Sequence, residues 1–214
     1  MINTSDRRPP ADPWSIDLTY RHDQRWWFDA NDEPEIWEIS ADVHDDSGTH
    51  VESHVADMRI VLIDVLDTRD PFGVLDGEDA DLGLIAEAIF DPASGRLDPE
   101  LDAQLEPLGN RILILSTVRL TPEWRGFGLG TLLAGTAIKK MSAGARAAVC
   151  YPAPLDDAGD LEHRIARAKL SEVWARLGFA HFRDGVHVLD LNLATLNENL
   201  AQLHKQAEPH RAFD

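Results

Sequence analysis

The chain has 214 residues and a formal net charge of −18 at pH 7, from 38 acidic and 20 basic side chains. An acidic excess of this size argues against a nucleic-acid partner, because such binding depends on Lys and Arg side chains that neutralise phosphates. The charge fits a solubility or salt-adapted composition better than the steering of a cationic substrate, and both interpretations stay open. The length allows one compact domain, or one domain with an arm.

Cysteine use and hydropathy bear on the compartment. Cys150 is the only cysteine, so the chain forms no internal disulfide, as is usual in a reducing compartment. Met1 is not followed by the basic patch and apolar segment of a secretory signal, and no apolar run reaches the length of a membrane span. We therefore expect a cytoplasmic protein without a membrane partner.

The first part of the chain predicts an arm that leads into a single domain. Residues 1–16 are polar and rich in proline, which is typical of a disordered or loosely docked arm. No clear linker divides residues 17–214, so we expect one domain there. The adjacent aromatics Trp26, Trp27 and Phe28 predict core packing or a dimer contact, with a substrate-binding rim as the alternative.

The next elements are a hairpin and two helices. Apolar and polar residues alternate over 36–43 and predict a strand, a turn follows at 45–49, and a second strand runs over 51–66. The pair predicts an antiparallel hairpin that ends at Thr68–Pro71. Helical spacing of apolar residues over 78–90 predicts an amphipathic helix, and Pro99 is suited to the first position of a short acidic helix.

The second half alternates strands with helices. We predict strands at 111–120, 146–151, 179–182 and 186–191, and helices at 131–140, 161–177 and 193–204. This alternation indicates a mixed α/β fold, a strongly twisted mixed sheet with helices on both faces.

A glycine-rich turn, Arg-Gly-Phe-Gly-Leu-Gly at 125–130, joins the strand at 111–120 to the next helix. Glycines let the backbone approach an anion closely, and the first N–H groups of a helix have no partner within it, so the turn suits a phosphate. The chain lacks the Gly-x-x-x-x-Gly-Lys-Ser/Thr run of nucleotide P-loops. A dinucleotide fingerprint that began at Gly126 would need glycine at Thr131. An ordinary strand-to-helix turn is the alternative interpretation.

Two segments resemble the GNAT family of N-acetyltransferases. The order Arg-x-x-Gly-x-Gly from Arg125, with Val118 and Leu120 upstream, is similar to the loop that holds the pyrophosphate of acetyl-CoA in that family. The segment Trp-Ala-Arg-Leu-Gly-Phe at 174–179 resembles a later family segment, usually Tyr-Glu-Lys-Leu-Gly-Phe, at about the same separation. The resemblance covers residues 110–191, and the first hundred residues carry no matching motif.

The resemblance implies a GNAT-like fold, acetyl-CoA as the acyl donor, and a primary amine as the acceptor, in a small molecule or a protein. In the family the central strand diverges from the next strand, and its free backbone groups, at Val118 and Leu120 here, hold the pantetheine arm. The Val118 N–H is the implied oxyanion donor, and a homodimer is possible because members are often dimers. We expect Arg125, Lys139 and Lys140 to supply local positive charge. The candidate cofactor-binding residues are Val118, Leu120, Arg125, Gly126, Phe127, Gly128, Leu129, Gly130, Thr131 and Trp174.

The chain departs from the family at the position of the catalytic acid. Trp174 stands where many members have a tyrosine that protonates the leaving thiolate, and an indole N–H is a donor but not a practical acid. Arg167 stands where the family often has asparagine. Three alternatives remain open: protonation through solvent, a different acid such as Tyr151, or an inactive acyl-CoA-binding sensor or interaction module.

Two residues are candidates for the general base. His54 is of the residue type best suited to proton transfer near neutral pH, and Glu123 precedes the glycine turn, where a solvated turn residue is the ordinary interpretation. The candidate catalytic residues are therefore Tyr151, His54 and Glu123. His44, His50 and His54 match no known ligand spacing, so we expect no metal.

Overall fold

The structure is a computed structural model that describes residues 8–27, 33–45, 48, 50–153 and 160–208. Residues 1–7 of the predicted arm, Phe28 and part of the predicted turn at 45–49 lie outside the described residues. A single seven-stranded sheet organises the described chain. Its strands are β1 (Ile16–Arg21), β2 (Glu35–His44), β3 (Val51–Asp64), β4 (Arg111–Leu120), β5 (Ala145–Cys150), β6 (Ala180–Arg183) and β7 (Val186–Asp190).

The strand order is β1-β2-β3-β4-β5-β7-β6. The β4–β5 pair is parallel and the other five neighbouring pairs are antiparallel, so the sheet is mixed. Six helices accompany it among the described residues: α1 (Pro71–Asp76), α2 (Ala80–Ile89), α3 (Pro99–Gln104), α4 (Leu129–Met141), α5 (Asp160–Ala175) and α6 (Thr195–Ala207). The predicted mixed α/β class is confirmed.

Helices cover both faces of the sheet, as the sequence predicts. On β3, Met58, Ile60 and Leu62 belong to one buried cluster and Val61 and Ile63 to the other. The first cluster contains residues of α4 and α6, and the second contains residues of α2 and α3. A strand buried on both faces must be apolar at successive positions, which explains the continuous apolar run in the middle of β3 and β4.

Two elements are not predicted by the sequence patterns. Strand β1 begins at Ile16, the last residue of the predicted arm, and pairs with β2 in antiparallel register. Apolar and polar residues alternate over only six positions in β1, and the prolines before it indicated a disordered arm. Helix α1 begins immediately after Asp70, whose carboxylate accepts from the Gly73 N–H at 2.9 Å, with Pro71 at the first helical position. An Asp-Pro pair commonly begins a helix. The sequence analysis took the same residues only as the end of the hairpin, and so missed α1.

The aromatic pair after β1 does not pack in the core. Trp26 is 89% exposed and Trp27 65%, and the two rings contact each other edge to face at 5.6 Å. The core interpretation of these residues is therefore wrong, while the dimer and substrate-rim interpretations stay predictions. None of the helices in the described ranges is both long and apolar enough to cross a membrane.

Candidate functional site

Strands β4 and β5 part in the middle of the sheet. Their parallel pairing ends at Leu115 and Cys150, but β4 continues alongside β3 as far as the pair formed by Leu120 and Ala56. Residues 116–120 of β4 therefore have β3 on one side and, within the described chain, no strand on the other. This gap gives the sheet an open edge in its interior.

The backbone of Val118 and Leu120 faces this open edge. The Thr121 N–H donates to the Val55 carbonyl on β3 at 3.0 Å. Hydrogen-bonded and non-hydrogen-bonded positions alternate in an antiparallel pair, so Arg119 also bonds towards β3, and Val118 and Leu120 point away from it. The Leu120 carbonyl accepts instead from Arg125 Nε at 2.9 Å. At the two positions named from the sequence, the strand thus presents the N–H and carbonyl of Val118 and the N–H of Leu120 to the open edge.

The glycine turn leads directly into α4. Gly126 and Gly128 have φ values of 90° and 75°, a left-handed conformation that favours glycine, and a Cβ atom added to either would meet no atom within 4 Å. Gly128 is the N-cap of α4, and no side chain caps the helix there. The first-turn N–H groups are therefore left for another partner, and the helix dipole favours an anion at this end.

A cleft with a volume of about 610 Å³ lies between the end of β4, the glycine turn and one face of α5. Four cationic side chains line it, and the described lining contains no carboxylate, although the whole chain carries a charge of −18. The cations are Arg119, Arg125, Lys169 and Arg176. An acidic protein that concentrates positive charge in one cleft favours an anionic ligand at that place.

A second, smaller cavity of about 50 Å³ lies at the point where the strands part. Val118, Ala153 and Leu170 line both spaces, so the two adjoin. The remaining walls of the small cavity are Leu115, Ser116, Thr117, Cys150, Tyr151, Pro152 and Trp174. It is closed where β4 and β5 are hydrogen-bonded, and we call it the inner cavity.

Most of the candidate cofactor-binding residues meet at these two spaces. The cleft is lined by Val118, Leu120, Arg125, Gly126, Gly128, Leu129, Gly130 and Thr131, and Trp174 lines the inner cavity. Phe127 lines neither and packs against the core. Lys139 and Lys140 lie in the last turn of α4, about 15 Å from its start at the rise of an α-helix, so the expectation that they supply charge at the loop is wrong.

Sequence reasoning missed the contribution of α5 to the cleft. Ala166, Lys169, Leu170 and Val173 follow the three- and four-residue spacing of one face of α5, and Arg176 continues that spacing just beyond the helix end. All five line the cleft. The spacing itself was the available signal. Because small, apolar and basic residues are mixed along this face, it resembles an ordinary half-exposed helix, and neither Lys169 nor Arg176 stands out.

Tyr151 is the candidate catalytic residue that lies at the site. It follows β5 and lines the inner cavity together with Val118 and Trp174. The Arg167 guanidinium lies 4.8 Å from the centre of the Tyr151 ring, within the range of a cation–π contact. Trp174 is 9% exposed, and its ring contacts Phe179 edge to face at 6.3 Å.

His54 belongs to a polar cluster beside the site. Its Nδ1 lies 2.7 Å from Asp42 Oδ1 and its Nε2 lies 3.2 Å from Asp57 Oδ2. The hydrogen bond to Asp42 raises the pKa of His54 above its ordinary value. Burial opposes ionisation of Asp42, but hydrogen bonds from Ser40 and His54 outweigh it and lower the pKa of that carboxyl. His54 lines neither space. Its partner Asp57 lies opposite Arg119, a residue of the cleft lining, in the register of β3 and β4.

Glu123 is exposed on the short 3-10 turn Pro122–Trp124 and lines neither space. Cys150 is buried, and burial raises the pKa of its thiol, so the side chain is uncharged at neutral pH. No group of three or more His, Cys, Asp and Glu side chains in the described ranges could hold a metal ion.

Comparison with protein-family models and with curated proteins finds no match to the chain.

Proposed function

We propose that the chain binds acetyl-CoA in the cleft and transfers its acetyl group to a primary amine of a small molecule or protein, in the manner of the GNAT family. The observation that carries this proposal is the parting of β4 and β5 beside a glycine turn, in a cleft that gathers four cationic side chains. Each part has a counterpart in coenzyme A, which combines phosphates with an amide-bearing arm and a terminal thioester.

The phosphates match the cationic end of the cleft. The uncapped start of α4 after Gly128 provides backbone N–H groups, and the glycines keep side chains away from them. Arg125, Lys169 and Arg176 supply charge that phosphate groups would neutralise. The amide-bearing arm matches β4, where the backbone groups of Val118 and Leu120 can pair with amides as a neighbouring strand would.

The reaction requires that the amine nitrogen attack the thioester carbonyl, form a C–N bond and displace the thiolate. The amine loses a proton and the thiolate gains one. Alignment of the two reactants lowers the entropic barrier, and the Val118 N–H is the proposed donor to the developing oxyanion. Tyr151 is the proposed source of the thiolate's proton, because this residue lines the inner cavity together with Val118.

The amine's proton needs another route. The described lining of the cleft and of the inner cavity contains neither a carboxylate nor an imidazole. We therefore propose release through water towards the polar cluster of His54, Asp42 and Asp57. The raised pKa of His54 makes its imidazole a stronger proton acceptor at the end of such a water path. Glu123, exposed on its turn, is the second candidate.

A catalytically inactive acyl-CoA-binding module is the alternative function. Trp174 favours it, because its buried ring occupies the helix position where the family's tyrosine acid is expected. Such a protein would keep the cleft and its charges, and would act as a sensor or as an interaction partner.

Calorimetric titration with coenzyme A, followed by thiol release from acetyl-CoA over a panel of amines, separates these functions. Binding with turnover on at least one amine supports the transferase. Binding without turnover on any amine favours the module. Absence of binding at millimolar coenzyme A would overturn both.

A further inference from the structure

We propose that Arg167 binds a carboxylate on the amine acceptor, so that the substrate class is a zwitterionic amine such as an amino acid. The inference rests on the proposed function, because it concerns the acceptor of the same reaction. It assigns a role to a residue at which the chain departs from the family, where asparagine is common. A neutral amide lacks the charge and the planar fork that match a carboxylate.

The donor and the acceptor would reach the gap between β4 and β5 from opposite faces of the sheet. The cleft lies on the face of the first buried cluster, which includes Leu129 and against which Leu120 and Leu170 pack. Tyr151 packs against the second cluster, on the other face, and also lines the inner cavity at the gap. An amine that attacks a thioester held from the first face therefore approaches from the face of Tyr151.

Arg167 reaches Tyr151 from α5 and is held there by packing. Its guanidinium carbon lies 4.8 Å from the centre of the Tyr151 ring. A Cβ atom built on Gly185, in the turn between β6 and β7, would stand 3.6 Å from Arg167 Nη1 and 3.0 Å from Tyr151 Cε2. Turn, ring and guanidinium are therefore packed together, and the charge has a defined position without an ion pair.

The hydrogen-bonding groups of Arg167 are unused within the described chain. Its Nε is buried without a partner, and no described carboxylate or carbonyl accepts from its two terminal amino groups. Other guanidinium groups find acceptors in this acidic protein, since Arg59, Arg146 and Arg183 each pair with carboxylates. A half-buried guanidinium that lacks an acceptor in the protein calls for one from outside it. A carboxylate can take the two terminal amino groups in bidentate geometry.

Arg167 is separate from the cations proposed to hold the donor. Its neighbours Ala166 and Lys169 line the cleft, whereas Arg167 points to a different side of α5 and lines neither space. Its charge beside Tyr151 is therefore left for a group of the acceptor, next to the proposed acid.

The test measures acetyl transfer from acetyl-CoA to glycine, β-alanine and γ-aminobutyrate, each compared with its amide. We expect the wild type to use at least one acid with a kcat/KM about ten- to hundredfold above that of its amide, the range for a hydrogen bond to a charged group. Arg167→Met should remove this preference, and Arg167→Lys should keep part of it, because the charge returns without the fork. The ratio between wild type and variant decides, since it cancels the different basicities of acid and amide.

Two controls separate acceptor recognition from other effects of charge. Arg164→Met, exposed on the same helix and lining neither space, should leave the preference unchanged. The Arg167 variants should bind coenzyme A as tightly as the wild type in calorimetric titration. A loss of coenzyme A affinity in Arg167→Met would assign the residue to the donor and overturn the inference.

A second measurement does not depend on turnover. Calorimetric titration of the protein saturated with coenzyme A, by the N-acetyl derivatives of the same acids and amides, reports carboxylate recognition even in an inactive module. Tighter binding of an N-acetyl acid than of its amide, lost in Arg167→Met, supports the inference. Equal binding and equal turnover of every acid and its amide by the wild type would overturn it, as would a preference that Arg167→Met retains. The proposed function fails separately, when coenzyme A does not bind.

Discussion

Arg125 Nε donates a 2.9 Å hydrogen bond to the carbonyl oxygen of Leu120, and so ties the glycine turn to the last residue of β4. The bond occupies one donor of the guanidinium, whose planar fork carries five. Arg125 also lines the cleft, where the proposed ligand would meet its charge. The same side chain that holds the turn is therefore proposed to take part in recognition. Lysine cannot replace it, since an ammonium group lacks the second arm of the fork.

Replacement of Arg125 by alanine should weaken coenzyme A binding about ten- to hundredfold, the range for loss of a hydrogen bond to a charged group. Arg125→Lys should recover only part of this loss, because the charge returns without the bond to Leu120. Calorimetric titration measures both. Lys140→Ala is the matched control, since it removes one exposed cation from the far end of α4. An equal effect of the Lys140 and Arg125 variants would show that net charge alone controls binding.

Gly128→Ala tests whether the turn serves a ligand or only the fold. A side chain at a φ of 75° costs about 1–2 kcal/mol of stability. The added Cβ would meet no protein atom within 4 Å but would stand beside the uncapped N–H groups of α4. A less stable protein binds more weakly only to the extent that part of it is unfolded. We expect Gly128→Ala to lower coenzyme A affinity by more than this unfolded fraction can explain. Denaturant unfolding and ligand titration measure the two quantities separately.

Gly48→Ala provides the control for that experiment. Gly48 has a φ of 68°, and its added Cβ also meets nothing within 4 Å, but it lies in the connection between β2 and β3. It should lower stability by a similar amount and leave coenzyme A binding unchanged. If both variants reduce affinity equally, the glycine turn has no special relation to the ligand.

The sequence predicts the second half of the chain better than the first, for a physical reason. Strand β4, the glycine turn and α4 follow one another within residues 111–141, so local signals describe the entire unit. Helix α5 joins the site from a distant part of the chain, and the position of Lys169 in the cleft depends on how the sheet twists. No local pattern carries that information. Strand β1 was missed because six residues of alternation are few beside the prolines that precede them.

Tyr151→Phe should lower kcat for acetyl transfer by about a hundredfold or more, the usual contribution of a positioned acid. Coenzyme A affinity should stay unchanged, because the ring remains in place beneath Arg167. Steady-state kinetics with any amine that supports turnover, together with direct titration, measures both. Tyr20→Phe removes the same hydroxyl from β1, away from the cleft and the inner cavity, and should change neither quantity. Unchanged turnover in Tyr151→Phe would indicate protonation through solvent.

The His54–Asp42 pair should make stability depend on pH. The pKa of His54 is raised from its ordinary value of 6.5, so its contribution is complete below that pH and is lost as the pH rises through the folded-state value. The pKa of Asp42 is lowered from 3.8, so its contribution is complete above that pH and is lost as the pH falls through the folded-state value. The pair therefore stabilises the fold most between these two ordinary values.

His54→Gln should consequently cost more stability at about pH 5.5 than at about pH 9. The difference should be about 1 kcal/mol or less, because the His54 side chain is 40% exposed and solvent screens the pair. Urea unfolding at the two pH values measures it. Asp42→Asn, which removes the partner, should abolish most of the same pH dependence. An equal cost of His54→Gln at both pH values would refute the assignment.

The interior gap between β4 and β5 has a consequence for how this chain can diverge. A sheet ordinarily leaves its unsatisfied peptide groups on its outer strands, whereas here a central strand keeps them over residues 116–120, at the alternate positions that face away from β3. Peptide groups are the same in almost every residue type. Recognition through them therefore places few demands on the side chains of the residues involved. Substitutions can accumulate along residues 116–120 while the pattern of donors and acceptors persists. The glycines that set the bend into α4 then become the part of such a site that a sequence retains longest.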